Sequence, residues 1–270
     1  MKLWNVKKEK KIIYNKTLNN LTFELLIKKR FHFDFNFKET HKKMNSYIFG
    51  RRQNIIIYNI EKILWKMKYL FYNLTQLFFE RNNFLIFATN QNIPFHDLIN
   101  NFLTNINMDK SSYNKFILLG FLDKKWVNGI ISNWTVIFKL ISNLKKYIKT
   151  RQPAKKYKRL LYYLQGLRRR WPHPIVPDFI LTLDCDKKGV LESIKQNIPL
   201  LGFVNKKWDP QFFLYPILGN SNSLQSVKFF LNFLIFCLKQ SFFKEQELLY
   251  LYILKKIKKL LKYRYIKKVN

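Results

Sequence analysis

Four short apolar runs constrain this chain more than any other feature of it. They are "FLIFAT" (Phe84–Thr89), "KFILLG" (Lys115–Gly120), "DFILTLD" (Asp178–Asp184) and "PLLGFV" (Pro199–Val204). Each has strand length, and none alternates apolar with polar residues. A strand with one wet face shows that alternation, so these runs read as strands covered on both faces. Helical patterns separate them. Ile60, Ile63, Leu64, Met67, Leu70, Phe71, Leu74, Leu77 and Phe78 recur at intervals of three and four, which predicts one long helix with a single apolar face. Pro94 opens a shorter helix with Leu98, Ile99 and Phe102 inward. A third helix runs roughly from Gly189 to Asn197. Ser223–Phe243 predicts a helix apolar nearly all round, buried on more than one side. Buried strands alternating with helices predict an α/β fold built on a parallel sheet with helices on both faces. "NIIIYNI" (Asn54–Ile60) is a further Ile-rich run of strand length.

Between the two halves the character changes. Lys124–Pro177 holds fourteen Lys and Arg and no acid. Two helical patterns lie there, about Trp134–Ile148 and Lys155–Leu167, separated by "TRQPAKK" with Pro153 as breaker. They predict an antiparallel hairpin projecting from the sheet, with Leu160, Leu161 and Leu164 facing Phe138, Ile141 and Leu144. The chain therefore divides into a basic N-terminal arm (1–30), a first part of the core (31–134), an inserted basic helical hairpin (135–171), a second part of the core (172–243) and a basic C-terminal helix (244–270). The last 23 residues hold eight basic residues and no acid, with Tyr250, Tyr252, Tyr263 and Tyr265 interleaved.

Charge then narrows the partner. Lys and Arg number 50 against 16 Asp and Glu, a net +34, yet 48% of residues are apolar. Such a chain can bury a core and still carry a dense positive surface, which calls for a polyanion: nucleic acid or an anionic membrane. Candidate phosphate contacts are Lys42, Lys43, Arg51, Arg52, Lys124, Lys125, Lys155, Lys156, Arg168, Arg169, Arg170, Lys255, Lys256 and Lys259. Patches spread over a folded body suit a convoluted RNA surface, whereas a groove reader concentrates them on one element. "FFLNFLIFCL", between Lys228 and Lys239, is about half the ~20 residues a membrane span needs, so no span is expected. "MKLWNVKKEK" has neither the apolar core of a signal peptide nor the look of a transit peptide. The heavy use of Lys, Asn, Ile, Phe, Tyr and Leu matches AT-rich codons, as in an organelle's own genome.

Catalytic readings find little support. Asp184 and Asp186 end a strand, where α/β folds place ligands, and a phosphatase-like site could use them. Such a site needs a downstream acidic pair for Mg²⁺, and past Asp209 the next acids are Glu245 and Glu247, beyond a helix. The seven glycines form no nucleotide-binding fingerprint. His32, His41, His96 and His173 have no carboxylate at ligand or triad spacing, and Cys185 and Cys237 read as free thiols. No catalytic residue, metal site or cofactor is expected.

Several stretches are similar, in order, to the S-two family of small-subunit ribosomal proteins. "HFDF" (His32–Phe35) and "HKKM" (His41–Met44) resemble that family's H-F-G-H and N-P-K-M at the same spacing, and Tyr47, Ile48, Gly50 and Arg52 follow. "FATN" (Phe87–Asn90) stands for V-G-T-K. "KWVNGIISNW" (Lys125–Trp134) resembles R-W-L-G-G-T-L-T-N-W, and "PDFILTLD" its Pro-Asp strand. "GFVNKKWDPQFFLYPILGNSNS" (Gly202–Ser223) resembles D-T-x-x-D-P…Y-P-I-P-G-N-D-D. Departures are Asp34 and Phe35 for Gly-His, Asn205 and Lys206 for Asp-Thr, and Ser221 and Asn222 for two aspartates; such drift fits an organellar copy. The resemblance implies a flavodoxin-like sheet with an inserted hairpin. It also implies a noncatalytic, non-homo-oligomeric constituent of the mitochondrial small subunit near its head–body junction, with rRNA and other ribosomal proteins as partners. Asp209, Pro210, Pro216, Gly219 and Asn220 then form a shaped loop, with the prolines stiffening it and Gly219 turning through positive φ. The alternative is a basic α/β protein peripheral to an organellar membrane.

Overall fold

The computed structural model describes residues 21–35, 40–88, 93–107, 118–150, 155–164, 166–167, 176–184, 186–204 and 206–269. The arm through Asn20, Arg168–Arg170, His173 and Cys185 lie outside the described residues.

The four apolar runs become four strands of one sheet: β4 (Phe84–Phe87), β5 (Leu118–Leu122), β6 (Phe179–Thr182) and β7 (Leu200–Val204). Phe213–Leu218 adds β8, the fifth strand. The order is β5-β4-β6-β7-β8, with every pairing parallel. Counted along the chain, the sheet runs second, first, third, fourth, fifth, which is the flavodoxin-like order. β4 and β7 are buried at every residue, as runs without alternation require.

β1 (Phe33–Phe35), β2 (Ile48–Arg52) and β3 (Ile55–Tyr58) precede this sheet and form a separate antiparallel one, order β1-β3-β2. The Ile-rich run is its central strand. Ile56 and Tyr58 are buried while Ile55 and Ile57 are half-buried, the alternation of a sheet with one core face.

Helices α1 (Phe23–Lys28), α2 (Ile60–Phe79), α3 (Phe95–Asn107), α4 (Trp134–Thr150), α5 (Lys155–Tyr163), α6 (Lys187–Lys195) and α7 (Leu224–Val269) complete the structure. Asn59 caps α2 by accepting from the Lys62 N–H at 3.2 Å. Ile63, Leu64, Met67, Leu70, Phe71, Leu74 and Phe78 are buried, as their period requires. α7 packs on α2 and α3 through Phe230, Phe233, Leu234, Cys237 and Leu238. Burial pushes the Cys237 thiol well up, so it stays protonated inside this core.

Three expectations change. First, the proposed break at residue 244 does not interrupt the helix: α7 is continuous over 46 residues. Its Leu224–Leu254 portion is long and apolar enough to cross a membrane by length and composition, and half of its most apolar stretch is buried inside the structure, as in the core helix of a folded domain. Second, Pro216 sits inside strand β8 and not in a loop. β8 is an edge strand, where a residue without an N–H is tolerated. Third, Gly219 is not among the positive-φ residues. A Cβ there would lie 2.9 Å from the Phe31 ring and 3.2 Å from the Phe203 ring, so the position needs a small residue for packing.

The hairpin also returns against the sheet and does not simply project. Phe138, Ile141 and Leu164 belong to the main core. The Phe121 N–H donates to the Gly166 carbonyl at 3.1 Å, and Leu167 bridges Gly120. Residues 166–167 thus run along the outer edge of β5, and a Cβ on Gly166 would fall 2.3 Å from the Phe121 carbonyl oxygen.

Candidate nucleic-acid interface

The loop after β5 is wound around one carboxylate. Glu192 of α6 accepts from Trp126 Nε1 at 2.8 Å and from the backbone N–H groups of Gly129, Ile131 and Ser132 at 3.0, 2.9 and 3.1 Å. Ser132 Oγ adds a fifth donor at 3.2 Å. Donors from one short loop converge because Gly129 takes φ +81°, which turns the chain back on itself. Trp126 is buried edge-on against Phe87, 4.6 Å between ring centroids. Gly189 lets α6 approach the same ring, since its Cβ would fall 2.5 Å from Phe87.

This frame places Lys124 and Lys125. The Lys124 ammonium stands 3.7 Å above the Tyr162 ring and ties the loop to α5. Between loop, α5 and the start of α6 lies an open groove of about 720 Å³. Lys125, Lys155, Lys156, Arg159 and Lys188 line it, with Tyr157, Tyr163 and Trp126 in its walls and no carboxylate. It lies over the end of β4 that faces Trp126 and Gly189, between the loop after β5 and the helix after β6. That is the carboxyl edge of the sheet, the side on which α/β folds take their ligands.

Of the residues expected from sequence, the groove gathers Lys125, Lys155 and Lys156. Arg159 and Lys188 were not anticipated. Arg159 carries a legible signal, being four residues past Lys155 on one helical face. Lys188 carries none, because only the fold brings α6 to this loop.

A second cluster sits on the antiparallel sheet. Lys42, Arg51 and Arg52 are exposed there, and Arg51 donates to Asn45 Oδ1 at 3.1 Å. Lys43 is differently engaged: its ammonium is 2.5 Å from Asp209 Oδ2 and 2.6 Å from Gln211 Oε1. Asp209 also accepts from the Gln211 N–H at 2.9 Å and caps the short 3₁₀ turn Pro210–Phe212. Burial alone would raise the Asp209 pKa. The Lys43 and Gln211 hydrogen bonds and the Lys43 and His41 charges together hold it below its ordinary value. Asp209 thus fastens the 209–223 segment to the segment around His41. Asn220 accepts from the Asn222 N–H at 3.0 Å and turns the chain into α7. Lys255, Lys256 and Lys259 lie on α7, and their side chains are outside what is described.

His96 meets in the fold a carboxylate that no ligand or triad spacing in the sequence marks. Its Nδ1 lies 2.7 Å from Asp123 Oδ2, a pairing the sequence separates by 27 residues. Asp184 and Asp186 follow β6, and among the described residues no three His, Cys, Asp or Glu converge to hold a metal ion.

Fold and surface together define a basic, doubly wound α/β protein with a cationic groove at the carboxyl edge of its sheet. The profile of the family described as Ribosomal protein S2 matches residues 26–241, and the chain belongs to that family. It is similar to the small ribosomal subunit protein uS2 of Koribacter versatilis, 24% identical over 230 residues, covering 78% of this chain and 70% of that protein. It is likewise similar to the uS2 proteins of Orientia tsutsugamushi (21% over 228 residues, 79% and 74%) and Rickettsia akari (23% over 230 residues, 79% and 72%).

Proposed function

We propose that this chain is a structural, noncatalytic constituent of the mitochondrial small ribosomal subunit, where it binds small-subunit rRNA and neighbouring proteins near the head–body junction. The observation that carries this is the family match, which spans the whole sheet domain with its inserted hairpin. The groove, whose lining holds five cations and no carboxylate, supports RNA as the polyanion, and the exposed Lys42, Arg51 and Arg52 add positive surface to it. Bacterial relatives and a composition rich in residues with AT-rich codons support an organelle with its own ribosome. For the protein neighbours, α2 offers Trp65, Tyr69 and Tyr72, exposed by 77, 61 and 52% at a spacing of four and three. Aromatic stripes of this kind are enriched at protein interfaces. The protein acts as one copy, its interfaces filled by RNA and other chains.

A sucrose gradient of mitochondrial lysate, probed for this chain, tests the reading. Co-migration with the small subunit that RNase abolishes is the expected outcome. A second reading rests on Leu248, Leu249, Tyr252 and Ile253, exposed apolar residues just before the basic end of α7. That reading makes the protein peripheral to a membrane. Sedimentation with membranes regardless of RNase would replace the ribosomal reading with it.

A further inference from the structure

We propose that the groove between the 124–128 loop, α5 and α6 is a site for an unpaired RNA segment, holding its backbone on the cations and one base against Tyr157. The inference rests on the RNA-binding reading above and goes on to say which form of RNA this site takes.

The groove is concave and pocket-sized, about 720 Å³. An A-form duplex is convex and rigid, and it meets proteins across its shallow groove and phosphate ridges. A recess of this size admits a bulged or looped nucleotide and excludes a duplex. The cations stand on three separate elements: Lys125 on the loop, Lys155, Lys156 and Arg159 on α5, and Lys188 on α6. They ring the recess, as a kinked single-stranded backbone requires; one straight duplex strand would need them in line.

The aromatic walls divide the work. Trp126 is buried and bonded to Glu192, so it is framework. Tyr163 receives Arg159, whose Nε donates to its hydroxyl at 3.0 Å. Tyr157 is 43% exposed within the groove, which makes it the ring with a face for a base. Stacking on such a ring tolerates any base, so the site reads strandedness and not sequence. The site lies at the carboxyl edge of the sheet, the side on which α/β folds take their ligands.

The test uses the full chain and two fluorescent RNAs, an eight-nucleotide oligouridine and a sixteen-base-pair duplex, followed by anisotropy at fixed salt. Tyr157→Ala should weaken oligouridine binding about tenfold and leave the duplex unchanged. Tyr157→Phe should restore it. Lys125→Gln with Lys188→Gln should also weaken oligouridine more than duplex. Tyr157, Lys125 and Lys188 are all exposed, and circular dichroism checks the folding of each variant. If Tyr157→Ala leaves oligouridine binding intact, or weakens both RNAs equally, the groove assignment is overturned while the RNA-binding reading stands. If the unmodified chain binds neither RNA, that broader reading fails too.

Discussion

Asp34 and Lys206 are both buried, with side chains 5 and 7% exposed, and 3.5 Å apart. Lys206 also donates to the Phe35 carbonyl, and Asn222 Nδ2 approaches Asp34 Oδ1 at 3.4 Å. All three positions depart from the family's motifs, where Gly, Thr and Asp stand. They meet in the fold, and a buried carboxylate requires a cation beside it. Lys206→Met alone should therefore cost about 3–5 kcal/mol of stability, since it strands a buried charge. Asp34→Gly with Lys206→Thr should recover most of that loss in urea denaturation. Equal losses for the single and double variants would show that the two residues do not act as a pair. No reading of the sequence pairs these residues, because Asp34 and Lys206 lie far apart along the chain, so they look like independent drift. Lys43 teaches the same lesson, since its charge was legible and its engagement by Asp209 was not. Because the folded-state pKa of Asp209 is lowered, the stability it contributes is complete above its ordinary value of 3.8. That contribution is lost as pH falls through the lowered folded value. Lys43→Gln should flatten the acid limb of a stability–pH curve; an unchanged limb would show that the contact contributes nothing.

At the scale of elements, legibility followed burial. The strands buried on both faces, β4, β6 and β7, announce themselves as uninterrupted apolar runs, and α2 by its period. β8 hid because Pro216 interrupts an otherwise strand-like "FFLYPIL", and only its edge position makes that proline harmless. The loop after β5 was visible as a motif while its organiser was not. Glu192 lies about sixty residues on and offers no local pattern, yet it holds that loop through five donors. Hydrogen bonds to a charged acceptor contribute about 1.5–3 kcal/mol each and do not add fully. Glu192→Ala should therefore cost about 3 kcal/mol. Amide exchange should rise at Gly129, Ile131 and Ser132 and stay slow in β7. Uniform acceleration across the sheet would show that Glu192 supports the whole domain and not the loop.

The whole molecule combines a core with a positive surface, and these two properties separate along α7. Its last buried residue is Ser241 among those whose side chains are described. Next come polar fastenings to α2 and the turn after it: Lys244 donates to Gln76 Oε1 at 2.7 Å, and Glu245 pairs with Arg81. From Leu248 onward the described side chains are half-buried or exposed. The net charge was legible from composition alone, whereas the gathering of three loop and hairpin lysines with Lys188 into one groove needed the fold. Core and charge should therefore come apart on truncation. A chain ending at Glu247 loses 23 residues carrying eight of the 50 Lys and Arg. Its thermal midpoint should stay close to that of the full chain, because the described side chains it removes, Leu248–Leu254, are half-buried or exposed. Its affinity for small-subunit rRNA should fall, with the log–log salt dependence shallower by about 0.7–0.9 for each phosphate contact the helix makes. A lower midpoint would place the helix end in the core after all. An unchanged salt slope with an unchanged midpoint would leave the end of α7 to a protein or membrane surface, and would confine the RNA contacts to the sheet domain and its groove.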